Sequence, residues 1–374
     1  MPIESRRSSF WKIAILARMN QAPPTDFRLS VAVEAILAGL GALRVILRNP
    51  RAREPVIKPD GSPVTAGDLA VQMAVCSVLA KRTPQWMVVG EEGEASVLGD
   101  AGAEILARAV AAVRESMGSD APSDPSIFLA NHPKPEGSTW WTVDPIDGTK
   151  GFRSARHYAL CLALIENERA TVGVLSCPTL VMGKNLLDIG SDEQYGTVYA
   201  ALKGHGAWKF QPANGVTQLP NSAVRLHRPK HAAPTCRVCD SIEGGSRAER
   251  MRGIMSATGL TWNSVSLDSQ CKYALVAEGV ADCFMRVPAS YGAEKVWDHA
   301  PGAVVAEEAG ARVSDLAGKP LIFAGDALDQ NVGTLACDEG IYSAICATAS
   351  THLGRATKSL EPKSTEPKST GLQG

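Results

Sequence analysis

Between residues 28 and 48 apolar side chains recur at helical spacing up to the Asn49-Pro50 stop, and they recur again from about 68 to 81. Both stretches predict core-facing helices. Between them lies a polar loop, Lys58-Pro-Asp-Gly-Ser-Pro-Val-Thr-Ala-Gly-Asp68. Trp86-Met-Val-Val-Gly90 is short, apolar and followed by Glu91-Glu92-Gly93, which predicts a buried strand ending on acid. A helix is predicted over 101–117 and a Pro-rich surface loop over 118–138. Trp140-Trp-Thr-Val-Asp-Pro-Ile-Asp-Gly-Thr149 then runs four apolar or β-branched positions into Asp144 and Asp147. Apolar segments at 158–166, 170–176, 196–201 and 206–210 predict antiparallel strands, the last two joined by a hairpin at Gly204-His205-Gly206.

The pattern changes after 211. Residues 212–234 carry Pro220, Pro229 and Pro234 with no clear period and mark an expected boundary. Beyond them strand and helix alternate (235–239, 246–258, 262–266, 268–278, 282–287, 298–309), as in an α/β unit. The expected organisation is a leader over 1–27, an α+β subdomain over 28–220, an α/β subdomain over 221–350 and a tail over 351–374. That tail repeats Glu-Pro-Lys-Ser-Thr without apolar anchors and is expected to be disordered.

Composition narrows the partners. With 38 Lys+Arg against 39 Asp+Glu, no global field favours nucleic acid or a membrane surface. A small molecule is the expected partner of a monomer or homodimer, and any anionic ligand must be held by local devices. The nine cysteines are odd in number and sit mostly in apolar segments (Cys76, Cys161, Cys177, Cys271, Cys337), the usage of a reducing, cytoplasmic compartment. Cys236 and Cys239 have no second pair at zinc spacing, so structural zinc is not expected. Val31–Leu47 contains Glu34 and Arg44 and reads as a core helix, not a membrane span. The first eighteen residues hold Arg6, Arg7, Lys12 and Arg18, for which an organellar leader and a start at Met19 are both open readings.

The candidate chemistry centres on Asp144 and Asp147. Pro145 fixes one backbone dihedral and Gly148 permits a conformation that side chains forbid. Two hard anionic ligands on a stiff turn, followed by backbone N–H groups and the Thr149 hydroxyl, suit a divalent cation beside a phosphate. A helix-capping Asx turn is the simpler alternative. Glu91, directly after a predicted strand, would project into the crevice where α/β folds bind ligands. Asp298 stands where an N-cap belongs, with Pro301 in the first turn and Gly310 at the end, and His299 beside it reads as structural. Ser269 and Lys272, three apart at the start of a predicted helix, share a face that favours an anion, and Arg286 can reach the same side. No His–carboxylate or Cys–His arrangement recommends covalent catalysis.

Taken in order, Pro63-Val-Thr-Ala-Gly-Asp68, Gly90-Glu91-Glu92, Asp144-Pro-Ile-Asp147-Gly-Thr149 and Trp297-Asp298-His-Ala-Pro-Gly302 resemble the lithium-sensitive, magnesium-dependent phosphomonoesterases of the inositol monophosphatase type. The resemblance runs from about residue 30 to 347. Leu267-Asp-Ser-Gln-Cys-Lys-Tyr273, Ala281-Asp-Cys-Phe-Met-Arg286 and Gly173-Val-Leu-Ser-Cys-Pro178 are most similar to the bisphosphate nucleotidase branch. It implies an α/β fold, a layered αβαβα sandwich with an α+β N-terminal half that binds metal and a C-terminal half that binds substrate. It also implies two or three Mg2+ ions held by Glu91, Asp144, the Ile146 carbonyl, Asp147 and Asp298. Asp68 and Thr149 match the pair that orients the attacking water, while Gly148, Thr149, Ser269, Lys272, Arg286 and Asp298 match the substrate side. The implied reaction removes the 3'-phosphate of adenosine 3',5'-bisphosphate, and of 3'-phosphoadenylyl sulfate as a second candidate, clearing a by-product of sulfate assimilation. An inositol phosphate phosphatase and a non-catalytic bisphosphate sensor are the alternatives. Family members usually carry a His where Ser246 stands in Ser241-Ile-Glu-Gly-Gly-Ser246, a departure that bears on nucleotide recognition and not on the hydrolytic centre.

Overall fold

Two sheets of different construction carry the chain in the computed structural model, which describes residues 22–93, 99–129, 137–189, 196–213, 216–230, 233–242, 244–288 and 294–357. Helix α1 (Phe27–Leu47) starts where the Asp26 carboxylate accepts the N–H groups of Arg28 and Leu29. A hairpin of β1 (Pro55–Ile57) and β2 (Pro63–Thr65) leads into α2 (Ala66–Arg82), capped reciprocally by Thr65 and Asp68. Next come β3 (Met87–Gly90), α3 (Gly99–Met117), β4 (Thr139–Asp147) and the short α4 (Thr149–Arg153). Strands β5 (Ala159–Glu166), β6 (Arg169–Cys177), β7 (Thr197–Leu202), β8 (Gly206–Phe210) and β9 (Val224–Arg225) complete the first sheet. Its seven strands, β3 to β9, lie side by side in chain order; β3 is parallel to β4 and the rest are antiparallel. The Pro-rich segment 212–234 thus supplies an edge strand, β9, to this sheet.

The second sheet is mixed. It draws on β10 (Cys236–Asp240), β11 (Trp262–Ser266), β12 (Cys283–Arg286), β13 (Arg312–Ser314) and β14 (Thr334–Cys337), in the order β11-β10-β12-β14-β13. Strand β10 is parallel to both neighbours, and β14 is antiparallel to both of its own. Four helices accompany it: α5 (Ser246–Ala257), α6 (Cys271–Glu278), α7 (Ala300–Ala309) and α8 (Glu339–Thr357).

Alternation along the strands decides which helices each face receives. Leu160, Leu162 and Leu164 of β5, with Val172 and Val174 of β6, pack under α1 and α2. Cys161, Ala163, Ile165, Leu175 and Cys177 face the other way, onto Tyr273 of α6 and Val304 and Val305 of α7. The same cluster takes in Cys239, Val265, Phe284 and Ala336 from one face of the second sheet. The far face of that sheet (Val238, Cys283, Met285, Leu335) closes on Met251 and Ile254 of α5 and Ile341 and Ile345 of α8. The result is five layers, helix–sheet–helix–sheet–helix, the expected αβαβα sandwich. Helix α1 is long and apolar enough to cross a membrane by length and composition, but most of that stretch is buried against the protein itself. It is a core helix.

One expectation fails at the C-terminus. Helix α8 runs to Thr357, so residues 351–357 are helical and not part of a disordered tail. Ile341, Ile345 and Ala349 recur at helical spacing and anchor it. Residues 1–21 of the leader and 358–374 of the tail lie outside the described residues. Because Leu162 is fully buried between the sheet and α1, Leu162→Ala is expected to lower the unfolding free energy in urea by about 2–5 kcal/mol. The half-exposed edge residue Val224, changed to Ala, is expected to stay within about 0.5 kcal/mol of the parent.

Candidate active site

Strand β4 does not stop at Asp144. It continues through Pro145 and Ile146 to Asp147, and its pairing with β5 slips by one residue between Asp144↔Cys161 and Asp147↔Ala159. On a regular strand, positions three apart face opposite sides. The extra residue of this bulge reverses the parity. Ile146 therefore packs with Trp141 and Val143 beneath α1, while carboxylate oxygens of Asp144 and Asp147 come within 4.8 Å of each other. Pro145, which has no N–H for a ladder, is suited to a bulge. The stiff turn expected here is a bulged strand end, and the turn itself falls at Gly148. Its φ of 87° and its closeness to Ser269, whose Cβ lies 2.8 Å from where a Cβ on residue 148 would sit, both demand glycine. The Thr149 hydroxyl donates back to the Ile146 carbonyl at 3.2 Å.

Asp298 arrives from the second half of the chain. The residue capping α7 is His299, which makes no side-chain cap bond, so Asp298 is not the N-cap its position suggested. Its carboxylate instead joins those of Asp144 and Asp147, all within 4.8 Å of one another. Gln270 sets this arrangement. Its side-chain N–H donates to the Trp297 carbonyl (2.8 Å), its Oε1 accepts the Gly302 N–H (3.0 Å), and its backbone N–H donates to the Asp147 carboxylate. Sequence reasoning passed over Gln270, whose only signal was its place inside the Leu267–Tyr273 motif. His299 is structural: Nδ1 lies 3.0 Å from the Tyr273 hydroxyl and Nε2 3.5 Å from Glu294.

The acidic end of β3 faces the same cluster. The Glu91 N–H donates to the Val143 carbonyl, extending the β3–β4 register. Glu92 beside it is buried and pairs with Lys58 at 3.1 Å. Both ends of the Gln72 amide hold the Glu92 backbone, at 2.6 and 3.0 Å. Gln72 comes so close that a Cβ on Gly90 would lie 2.5 Å from its Oε1. Asp68, in the first turn of α2, accepts the Thr65 N–H and hydroxyl through Oδ2 (2.8 and 2.6 Å), and its buried Oδ1 makes no hydrogen bond. Lys58 and Gln72 were both missed, one in a polar loop and the other in a helix interior, where nothing local marks them.

Burial, with repulsion from neighbouring carboxylates, pushes five of these carboxyls up. Glu91 rises well above the usual range through burial, then Glu92 and Asp298. Asp144 rises likewise through burial, then Glu91 and Asp147. Asp147 and Asp298 are each pushed to about 6 by burial, against the Gln270 N–H in one case and the His299 charge in the other. Asp68 is pushed to about 7 by burial and Glu92. One oxygen of Asp144, like one of Asp68, is buried without a hydrogen bond. An all-oxygen donor set with orphaned acceptors and crowded negative charge fits a hard divalent cation.

A cavity adjoins the carboxylates, lined by Asp147, Ser269, Lys272, Phe284, Arg286 and Asp298 among others. Ser269 precedes α6 in the left-handed region (φ 67°), and its hydroxyl accepts the Cys271 N–H at 3.2 Å. Ser269 and Lys272 therefore share this cavity but not, as expected, a helix face. Lys272 is buried with its ammonium 5.5 Å from the Phe284 ring centroid, and burial lowers its pKa. Arg286 Nε donates to Glu294 at 2.9 Å.

Residues 26–353 match the inositol monophosphatase family. The chain belongs to that family. Among its relatives is a 3'(2'),5'-bisphosphate nucleotidase of Schizosaccharomyces pombe, 32% identical over 315 residues that cover 80% of this chain and 87% of the relative. Another bisphosphate nucleotidase, from Dictyostelium discoideum, is 33% identical over 312 residues, 81% of this chain and 90% of its own. The solved structure of CysQ from Bacteroides thetaiotaomicron, a bacterial member of the inositol monophosphatase family, shares the fold with a TM-score of 0.54 at 21% identity, covering 83% of this chain and 96% of that one. The family is metal-dependent, and the acidic cluster is where this member can hold metal.

The metal-free protein should respond to pH in a definite direction. Asp68, Asp147 and Asp298 titrate at about 7, 6 and 6 in the fold against 3.8 for a free carboxyl. Folding therefore favours their protonated forms, a contribution fully present below about pH 4 and lost as pH rises through 6 to 7. EDTA-treated protein is expected to melt higher at pH 5.5 than at pH 8, and an added divalent cation to raise the melting temperature chiefly at pH 8. A cation effect of equal size at both pH values would contradict the assignment of the cluster.

Proposed function

We propose that this protein is a Mg2+-dependent phosphomonoesterase that removes the 3'-phosphate from adenosine 3',5'-bisphosphate. The observation that carries the reading is the convergence of Asp144, Asp147 and Asp298 beside a cavity that also holds Lys272 and Arg286. Glu91, Asp144, the Ile146 carbonyl, Asp147 and Asp298 would hold the ions. Bound Mg2+ would neutralise charge on the phosphate and lower the pKa of the attacking water.

The chain's own groups supply the rest. Asp68 is fixed through Oδ2 by Thr65, which leaves Oδ1 to accept a proton from the water. The Thr149 hydroxyl, turned toward the Ile146 carbonyl, has its lone pairs available to orient that water. Gly148 and Thr149 present backbone N–H groups to the reacting phosphate. Ser269, Lys272 and Arg286 line the side on which the remainder of the substrate would lie. Two cations there have a purpose if the substrate carries a second phosphate, and the relatives named as bisphosphate nucleotidases support that choice. An inositol phosphate would use the same carboxylates and leave the second cation idle.

Phosphate release from adenosine 3',5'-bisphosphate, 3'-phosphoadenylyl sulfate and inositol monophosphate, with Mg2+, with EDTA and with Mg2+ plus Li+, tests the proposal. The expected result is Mg2+-dependent, Li+-inhibited release, fastest from the bisphosphate. Release no faster than from inositol monophosphate would overturn the substrate assignment. Asp147→Asn is expected to lower kcat by about a hundredfold or more with the fold intact by circular dichroism. Unchanged turnover in that variant would remove Asp147 from the metal site.

A further inference from the structure

Glu294 is shared by two guanidinium groups that are held differently. Arg286 Nε donates to Oε2 at 2.9 Å, and His299 Nε2 lies 3.5 Å from the same oxygen. Arg247 approaches the other oxygen, Oε1, at 3.2 Å, yet that buried atom makes no hydrogen bond. Arg286 is thus fixed by a directional bond, whereas Arg247 is held by charge alone. Exposure agrees with this difference: the Arg247 side chain is 43% exposed, that of Arg286 30%, that of Glu294 only 3%.

Arg247 stands in the first turn of α5, which Gly245 enters without any side-chain cap. It lines a cavity with Ser241, Lys272, Phe284 and Arg286. Lys272, Phe284 and Arg286 also line the cavity that holds Asp147 and Asp298. The two cavities are therefore neighbouring compartments with a common wall. The inner one contains the carboxylates expected to hold metal and the reacting phosphate. The outer one carries more guanidinium than carboxylate among the described residues: Asp240 is occupied by Arg252 at 2.6 Å, Asp268 and Asp147 attract Lys272, and Glu294 is already matched by Arg286. Arg247 is the surplus charge.

We propose that Arg247 is a specificity-determining residue that leaves Glu294 to bind the non-reacting phosphate of a bisphosphate substrate. This rests on the bisphosphate reading above. The exchange strands no buried charge, because Glu294 keeps Arg286 and His299. A phosphate offers a guanidinium two parallel charge-assisted hydrogen bonds in place of a contact that has none. Arg247 touches neither the carboxylate cluster nor the reacting phosphate, so its effect falls on binding of one class of substrate and not on the chemical step.

Adenosine 3',5'-bisphosphate and adenosine 3'-monophosphate share the reacting phosphate and differ only in the second one, so steady-state kinetics on this pair isolate the residue. Arg247→Ala is expected to raise KM for the bisphosphate about tenfold or more while kcat stays within about twofold. KM for the monophosphate should not move, and Arg247→Lys should recover part of the loss. Should the Ala variant melt early, Arg247→Gln, which keeps the apolar stem, carries the same comparison. A wild-type protein that prefers the bisphosphate and an Arg247→Ala variant that keeps the same preference would overturn the role of Arg247 alone. Parallel changes on both substrates would overturn it as well. A wild-type protein with no preference for the bisphosphate would overturn the substrate assignment and this inference with it.

Discussion

Everything in this fold answers to one uncomfortable requirement: carboxyl groups from three separate segments must be held together away from water. Glu91, Asp144, Asp147 and Asp298 repel one another, and burial removes the solvent that would screen them. A loop could not keep such groups close, because each would swing outward to relieve the repulsion. Here each stands on, or is tied to, a layer of the sandwich. Glu91 extends the β3–β4 register, Asp144 and Asp147 sit on a bulged strand, and Asp298 is fixed through Gln270. Such crowding of buried carboxylates is what a bound cation would relieve.

The middle helical layer is what joins the two sheets into one site. Gln270 precedes α6 and bonds to the Trp297–Gly302 turn before and within α7, while its N–H reaches across to β4. Gly302 lies against the Tyr273 ring so closely that any side chain there would collide with it. Tyr273 in turn meets His299 and packs edge-on against Phe284, one of the residues shared by both cavities. Packing in this layer therefore acts on the position of Asp298 and on the shape of the substrate side together. A substitution at Tyr273 would be felt at the carboxylates without touching them.

What the sequence made legible follows from what is local. The strands of the first sheet declared themselves as short apolar runs, and β11 falls at residues 262–266, where the order of strands and helices placed it, because both signals need no knowledge of spatial neighbours. The acidic residues were legible for a related reason: carboxylates directly after buried strands have few structural uses. The failures at the site are long-range. The β4 bulge depends on register with β5, so spacing alone could not say that Asp144 and Asp147 share a side. Asp298 had the local signature of a cap, which the cluster overrode. Ser269 was placed on a helix face because its strained backbone is imposed by Asp147 and Gly148 next to it, not by its own neighbours in sequence. Lys58 and Gln72 matter only because Glu92 is brought to them. Nor did the tail's composition reveal that α8 would reach Thr357, since its apolar anchors lie earlier in the helix.

Charge is arranged along the site in an order that constrains the substrate more than any single residue does. On the proposed reading the carboxylate cluster would hold cations and, with them, a phosphate. Farther out the sign is already positive, with Lys272 buried against Phe284 and Arg286 restrained by Glu294. A buried ammonium is costly without an anion nearby, and burial depresses its pKa accordingly. Asp268 and Asp147 answer part of that demand from the protein itself, whereas Glu294 is one carboxylate facing two guanidinium groups and a histidine. Among the described residues, Arg247 and Arg286 against Glu294 leave a deficit of one negative charge there. Ser246, uncharged at the start of α5, does not change that balance, whereas Arg247 beside it adds to the deficit. A substrate with a single phosphate would satisfy the inner site and leave this deficit standing, and one with two phosphates would close both.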